Sequence, residues 1–142
     1  MGLAAAPDTA RAETPAAPLL GMISPPADYE NVLGKGMVRG AEVDLVSRLM
    51  FMQQTHKTYA GTSTVCTGVA SRLAGTLVHQ AARPVPAGNI ECRIGHPGGV
   101  ITTEVVVALA GNAYTVERAT LGRTARRIMD GAVYVPDATF QT

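Results

Sequence analysis

A chain of 142 residues is long enough for one domain, and 46% hydrophobic with 16% charged residues is the balance of a globular protein. A net charge of +1 and 4% aromatic residues provide neither the electrostatic footprint nor the stacking surface of a nucleic-acid-binding protein. The sequence shows no export signal, no apolar run of membrane-spanning length and no metal-ligand spacing around its two cysteines. We therefore expect a cytoplasmic protein with reduced thiols and no metal, membrane or nucleic-acid partner.

The N-terminal third predicts a connector, a strand, a loop and a helix. Residues 1–17 are rich in Ala and Pro and predict a connector or the remnant of a preceding helix. Residues 18–24, "PLLGMIS", predict a short buried strand, and residues 27–40 a loop. In residues 41–52 the apolar positions recur at helical spacing behind an acidic first turn, which predicts a helix.

The rest of the chain predicts one helix followed by a sheet. A helix over about 63–74 is expected to begin near Thr62 or Ser63, whose hydroxyl would cap it, and to end around Gly75. Beyond Gly75, β-branched runs separated by Gly and Pro predict strands. These strands are expected at residues 76–80, 89–95, 99–109, 113–121 and 124–136, with a hairpin turn at "AGNAY". The expected fold is α+β, with a curved, mostly antiparallel sheet wrapped round the 63–74 helix.

The stretch "GTST", residues 61–64, is the first candidate site. A helix N-terminus presents free N–H groups and a partial positive charge, and Gly61 would let a ligand carboxylate approach the backbone. Thr62, Ser63 and Thr64 would add hydroxyl donors, although the same residues could serve only to cap the helix. Cys66 lies in the next turn, where it is either a thiol with a pKa lowered by the helix or a small buried hydrophobic residue.

Two histidine-containing stretches are the other candidates. In "RIGHPGGV", residues 93–100, His96 with Gly98 and Gly99 could form a backbone nest for an anion, or simply a tight turn between strands. His56 and Lys57 precede the helix and could reach an anion at its N-terminus, or be solvated loop residues. His96, His56 and Cys66 are thus the candidate catalytic groups.

Four arginines near the C-terminus could hold carboxylates through two parallel hydrogen bonds. They are residues 118, 123, 126 and 127. Because neighbouring residues of a strand face opposite sides, Arg126 and Arg127 cannot both face one pocket. A solvated sheet face is the alternative for at least half of the four.

Three motifs in order resemble the C-terminal part of the PrpF family, the methylaconitate isomerases, whose relatives include methylitaconate isomerase and oxalomesaconate tautomerase. The motifs are "MFMQQTHKTYAGTSTVCTGVASRLAGTLVHQ", "RIGHPGGVI" and "VERATLGRTARRIMDGAVYVP". The resemblance runs from Leu19 to Pro136, so residues 18–142 would form an incomplete C-terminal domain. It implies a diaminopimelate epimerase-like half, in which a curved sheet surrounds a central helix whose N-terminus points at the active-site cleft.

The resemblance also implies an activity and a set of site residues. Family members shift a double bond in small unsaturated di- and tricarboxylates by proton transfer, without metal or organic cofactor. Thr62, Ser63 and Thr64 would help to hold a substrate carboxylate, with Gly61, His96, Gly98 and Gly99 beside them. Many relatives carry a serine where this chain has Gly98, and the family's lysine and cysteine acid–base pair has no counterpart here.

Two hypotheses follow from this sequence. The first is a truncated or split isomerase that supplies one wall of a carboxylate site and is inactive alone, because the N-terminal half is missing. The alternative is a non-catalytic module that binds small carboxylates or pairs with another chain. Under either hypothesis, we expect a small di- or tricarboxylate as ligand, and a missing N-terminal half or self-association as protein partner.

Overall fold

The computed structural model describes residues 2–34, 36–111 and 113–136. Within these residues, the chain forms three α-helices and eight strands. The helices are α1 (Ala10–Glu13), α2 (Gly61–Arg72) and α3 (Leu77–Ala81). The strands are β1 (Leu20–Ser24), β2 (Tyr29–Glu30), β3 (Met37–Val38), β4 (Leu45–Phe51), β5 (Gln54–Thr55), β6 (Glu91–His96), β7 (Gly99–Ala110) and β8 (Ala113–Leu121).

A single curved sheet forms the body of the molecule, and α2 packs against it. The strand order is β1-β4-β6-β7-β8, with β5 beside β4, while β2 and β3 form a separate two-stranded sheet. All neighbours are antiparallel except β4 and β6, which are parallel. Helix α2 contacts β6, β7 and β8. The predicted fold, a mostly antiparallel sheet wrapped round a central helix, is therefore confirmed.

The core lies between the sheet and the helices. One cluster of buried side chains consists of Leu45, Leu49, Tyr59, Cys92 and Ile94. The hydroxyl of Tyr59, at the edge of this cluster, forms hydrogen bonds with Ser47 Oγ at 2.8 Å and with Thr67 Oγ1 at 2.9 Å. Because these hydroxyls satisfy one another, polar groups of β4 and α2 are buried together without an unpaired donor or acceptor among them.

The helix predicted over residues 41–52 is wrong, because Leu45–Phe51 is strand β4. Adjacent residues Leu45, Val46 and Ser47 are all buried, which means that both faces of the strand are covered. A strand buried on both faces loses the alternation of apolar and polar residues that distinguishes it from a helix. The helical spacing of the apolar residues is therefore incidental to a central strand.

Two predicted strands in the second half of the chain are also wrong. Residues 76–80 fall largely in helix α3, whose first turn is capped by Thr76: its Oγ1 accepts a hydrogen bond from the His79 N–H at 3.0 Å. Residues 124–136 form no regular secondary structure and are exposed. A β-branched composition alone does not make a strand when no neighbouring strand pairs with it.

The remaining predictions agree more closely with the structure. Strands β1, β6, β7 and β8 lie where they were expected, and the loop predicted over 27–40 contains the short hairpin of β2 and β3. The prediction that the first of these strands is buried is wrong, because β1 lies at an edge of the sheet in the described part of the chain and four of its five residues are exposed. The β7–β8 turn includes Gly111 at φ +63°, while residue 112 lies outside the described residues. No helix in the described part of the chain is long and apolar enough to cross a membrane.

Candidate functional site

The N-terminus of α2 is not capped by a side chain. The structure places Ala60 at the N-cap, so the expected cap by Thr62 or Ser63 is wrong. The first intrahelical bond runs from the Thr64 N–H to the Ala60 carbonyl at 2.8 Å. Helical geometry leaves the N–H groups of Gly61, Thr62 and Ser63 without an intrahelical partner, and no described residue accepts a hydrogen bond from them. Three donors and the positive end of the helix therefore remain available.

His96 lies at the end of β6 and is 7% exposed. Its Nδ1 accepts a hydrogen bond from the Gly98 N–H at 3.1 Å, so in the neutral ring the proton must be on Nε2. Burial, together with the positive charges of Arg48 and His56, lowers the pKa of His96 below its ordinary value. The imidazole is thus neutral at pH 7, and Nε2–H is a hydrogen-bond donor with no acceptor among the described residues.

The turn after His96 is held by the loop that contains β2. The Tyr29 hydroxyl donates to the Gly99 carbonyl at 2.5 Å, Asn31 Nδ2 to the Gly98 carbonyl at 3.1 Å, and the Val32 N–H to the Pro97 carbonyl at 2.9 Å. Gly99 has φ +135°, a conformation that favours glycine.

These contacts limit what the predicted glycine nest can offer a ligand. The Gly98 N–H is occupied by His96 Nδ1, and neither Gly98 nor Gly99 lines the cleft described below. A Cβ at Gly98 would lie 3.1 Å from the Lys57 carbonyl oxygen. The two glycines therefore shape a tightly packed turn that positions His96.

A cleft of about 410 Å³ brings the start of α2 and His96 together. Its lining residues are Thr58, Tyr59, Gly61, His96, Val100, Ile101, Leu121, Gly122, Arg123 and Thr124. Among these described residues there is one permanent cation, Arg123, and no Asp, Glu, Lys or Cys. Of the residues predicted for the site, Gly61 and His96 are the two that line this cleft. Its charge and donors suit an anion.

The hydroxyls of the predicted site are divided between other environments. Thr62, Ser63 and Cys66 line a second, more apolar cleft of about 390 Å³ between α2 and β1. Thr64 is fully buried, and its Oγ1 donates to the Ala60 carbonyl at 3.0 Å, so its side chain faces the helix itself. Cys66 is exposed and unbridged, which contradicts its interpretation as a small buried hydrophobic residue.

The other sequence candidates lie outside the cleft. His56 Nδ1 accepts hydrogen bonds from the N–H and the hydroxyl of Thr58, at 3.2 and 3.3 Å. Arg118 forms an ion pair with Glu104 at 2.5 Å on the sheet. Arg127 pairs with Asp130 at 2.8 Å in the exposed C-terminal segment.

Arg123 is the arginine that reaches the site, and the sequence did not distinguish it from its neighbours. Its position depends on where the chain leaves β8, which the residue pattern does not specify. Among the described residues, no group of three or more His, Cys, Asp or Glu side chains is arranged to hold a metal ion.

Fold and cleft together define a class of protein: an α+β half-barrel whose central helix begins, at Gly61, beside a cleft lined by an arginine. The family model of the PrpF protein matches residues 1–136, and the chain belongs to the PrpF family. It is 48% identical to the 3-methylitaconate isomerase of Eubacterium barkeri over 97% of this chain and 35% of that protein. It is 35% identical to the 2-methyl-aconitate isomerase of Shewanella oneidensis over 84% of this chain and 29% of that protein.

A solved structure shows the same architecture. The crystal structure of a methylitaconate-delta-isomerase superimposes with a TM-score of 0.78 and 47% sequence identity. The match covers 96% of this chain and 34% of that one. The chain thus spans about a third of the length of the relatives it matches, and its fold is that of a diaminopimelate epimerase-like half.

Proposed function

We propose that this chain forms one wall of the active site of an isomerase that shifts a double bond by proton transfer in small unsaturated di- or tricarboxylates. One observation carries the proposal: Gly61 at the uncapped N-terminus of α2 and His96 line one cleft that has no described carboxylate. The isomerase activity of relatives with 48% and 35% identity supports the reaction class.

The chemistry of a double-bond shift explains why such donors are useful. A base removes a proton from the carbon next to the double bond, and the electron pair moves through the alkene onto a carboxylate oxygen, which gives an enolate-like intermediate. Return of a proton at the far alkene carbon completes the shift with no net change in atoms or electrons. Preorganised N–H groups stabilise the charge that develops on the oxygen. In this chain, the N–H groups at Gly61 and His96 would have that role.

The base is expected to come from outside this cleft. His96 Nε2 already carries a proton in its neutral form, and Nδ1 is engaged by Gly98, so neither nitrogen can accept a proton from a substrate. The Tyr59 hydroxyl is engaged by Ser47 and Thr67. We therefore propose that this wall binds and stabilises, while the base belongs to a further part of a longer protein or to another chain.

Proton NMR in deuterated buffer tests the proposal with the purified 142-residue chain. We expect 2-methylaconitate or methylitaconate to shift the amide signals of Gly61, Thr62 and Ser63, with no solvent deuterium entering the substrate. His96→Ala should weaken this binding, whereas His79→Ala, in α3 beside the C-terminal end of α2, should leave it unchanged. Absence of any shift in the wild-type chain would overturn the carboxylate site, and deuterium incorporation would overturn the claim that the base lies elsewhere.

Binding without deuterium incorporation is also expected of a second candidate, a non-catalytic module that binds small carboxylates. The lack of a free base among the described cleft residues favours it. Adding the N-terminal part of a PrpF-family isomerase as a separate chain distinguishes the two. Recovery of isomerisation indicates a split active site, whereas unchanged binding without turnover indicates a binding module.

A further inference from the structure

The guanidinium of Arg123 lies over the first residue of α2. Arg123 Nη2 is 3.1 Å from the point that a Cβ on Gly61 would occupy, and Leu121 Cδ2 is 2.8 Å from the same point. A side chain at residue 61 would therefore push the ends of the Leu121 and Arg123 side chains away from the start of α2. Glycine at this position lets a cation sit directly against the N-terminus of a twelve-residue helix.

Electrostatics makes this placement unfavourable unless an anion is present. The N-terminus of α2 carries a partial positive charge, and a cation in the last turn of a helix, not the first, is the stabilising arrangement. Arg123 forms no ion pair or hydrogen bond with any residue in the described part of the chain, and no carboxylate lines the cleft. An anion bound between the guanidinium and the helix would convert this repulsion into two attractive contacts.

His96 provides an independent indication of a ligand. Its ring is more than nine-tenths buried, yet its Nε2–H has no described acceptor, although the ring lines the same cleft. A ligand oxygen in the cleft would supply the acceptor that this N–H group lacks among the described residues. The cleft is therefore lined by hydrogen-bond donors from three parts of the chain. They are Gly61 at the start of α2, His96 at the end of β6, and the guanidinium of Arg123 after β8.

We propose that Arg123 is a specificity-determining residue, which binds one carboxylate of the substrate while the α2 N-terminus and His96 bind another. This inference rests on the proposed carboxylate site and adds the requirement for a second carboxylate. Arginine suits the role because its guanidinium can form two parallel hydrogen bonds with a carboxylate. A monocarboxylate of the same shape would leave Arg123 facing the helix without an anion.

A matched pair of ligands tests this role. Mesaconate and tiglate share a 2-methylalkene carboxylate skeleton, but tiglate has a methyl group where mesaconate has its second carboxylate. Titrations of the 142-residue chain, followed by amide NMR shifts, should show tighter binding of mesaconate. Arg123→Gln should weaken mesaconate binding about tenfold and leave tiglate binding unchanged, because one charge-assisted contact is lost.

Two further variants control for charge and geometry. Arg126→Gln removes the same charge from an exposed position outside the cleft and should leave both affinities at the wild-type values. Arg123→Lys keeps the charge without the fork and should give an intermediate affinity for mesaconate. Because Arg123 is exposed, we expect its substitutions to leave the fold intact. Amide signals outside the cleft that match those of the wild type will verify that each variant is folded.

The outcomes separate this inference from the proposed function. If wild type prefers mesaconate and Arg123→Gln retains that preference, the role of Arg123 is overturned while the carboxylate site stands. If Arg123→Gln weakens both ligands equally, Arg123 shapes the cleft and does not select a second carboxylate. If wild type binds neither ligand, the proposed site and the role of Arg123 are both overturned.

Discussion

His96 shows how one hydrogen bond decides what a side chain can do. A histidine in a cleft is an obvious candidate for a base, and its sequence position permits that role equally with hydrogen-bond donation. The Gly98 N–H on Nδ1 removes the ambiguity, because it requires the proton to be on Nε2. This ring is therefore a donor at neutral pH, and chemistry that needs a proton acceptor must find it elsewhere.

The first prediction concerns the titration of His96. Its pKa lies below the ordinary 6.5, because burial and the charges of Arg48 and His56 disfavour the imidazolium. The unfolded chain therefore takes up this proton before the folded chain does, and the stability due to the neutral ring, full above pH 6.5, falls as the pH drops. Nitrogen-15 NMR should show a protonated Nε2, an unprotonated Nδ1 and a midpoint below 6.5.

A His96→Gln variant provides the control for the stability measurement. Urea unfolding of this variant should lose less stability than wild type between pH 7 and pH 5. A His96 midpoint at or above 6.5, or a proton on Nδ1, would contradict the hydrogen-bonding scheme of the turn.

The sequence could reveal the residues of the site but not their grouping. His96 and Gly61 stand out from the sequence because an imidazole and a glycine before a helix have recognisable chemistry. Thr64 stands out equally, yet a rotation of 100° per residue on a helix turns it away from the cleft and into the core. Arg123 joins the site only because the chain crosses α2 after β8, and no local pattern encodes that crossing.

At the scale of elements, the contact between α2 and β7 is unusually close. A Cβ at Gly68 would lie 2.4 Å from Thr103 Cγ2 and 3.0 Å from Val105 Cγ2, distances that β-strand side chains cannot accommodate without moving. Glycine is disfavoured inside helices by about 1 kcal/mol relative to alanine. Its presence in the middle of α2 is therefore explained by packing on the sheet.

The second prediction is that Gly68→Ala destabilises the protein despite the better helix propensity of alanine. Overpacking should cost about 2 kcal/mol, which exceeds the gain of about 1 kcal/mol from propensity. Urea unfolding followed by far-UV circular dichroism measures the difference. Gly21→Ala is the matched control, because the nearest atoms to its Cβ would be at an ordinary 3.9 Å. A Gly68→Ala protein as stable as wild type would show that α2 lies farther from β7.

A partly buried ion pair joins the residue before β4 to β6. The Asp44 carboxylate accepts hydrogen bonds from Arg93 Nη2 at 2.7 Å and from the Arg93 N–H at 2.8 Å. Burial acts to raise the pKa of Asp44, but the hydrogen bonds and charge of Arg93 outweigh it and hold the pKa below the ordinary 3.8. The pair thus fixes the parallel register in which Leu45 faces Ile94.

The third prediction is that Asp44→Asn lowers the free energy of unfolding at pH 7 by about 2 kcal/mol, the contribution of hydrogen bonds to a charged group. Because the folded pKa is lowered, this contribution is complete above pH 3.8 and disappears as the pH falls through the folded pKa. Urea unfolding at pH 7 and pH 3 should show the two proteins converging. Asp130→Asn, at an exposed ion pair, should change nothing at either pH; equal effects of the two substitutions would show that the Asp44 pair is no stronger than a surface pair.

The elements that the sequence mispredicts share a physical cause. Strand β4 is covered on both faces, and α3 is a five-residue helix whose N-terminus is capped by Thr76. Residues 124–136 have no partner strand among the described residues. In each case, tertiary packing and not local preference decides the conformation. By contrast, β7 and β8 are joined by a short hairpin, so their pairing is local and the sequence predicts both correctly.

At the scale of the whole molecule, β1 forms an edge of the sheet in the described part of the chain, and this edge is apolar. Within the described residues, β1 pairs only with β4, and its Leu20 and Met22 side chains are 60% and 58% exposed. An unpaired strand edge flanked by apolar side chains is a template for pairing with another chain. The second, apolar cleft lies beside this strand and extends the same surface.

The fourth prediction is that the isolated chain self-associates through β1. Sedimentation velocity should show species larger than 14.7 kDa that decrease when Leu20→Lys and Met22→Lys are combined. Combining Ile128→Lys with Met129→Lys adds the same charge at two more exposed positions and should leave association unchanged. A wild-type chain that sediments as a monomer at all concentrations would contradict the prediction.

The hydrogen bonds that hold the turn of residues 97–99 affect the entropy of ligand binding. Hydrogen bonds from Tyr29, Asn31 and Val32 fix the turn that carries His96, and residues from a distant part of the chain supply all three. The rotational freedom of the imidazole is therefore lost when the chain folds, and a ligand does not have to immobilise it again. Binding at this cleft should accordingly cost little further orientational entropy, because the imidazole is already ordered in the free protein.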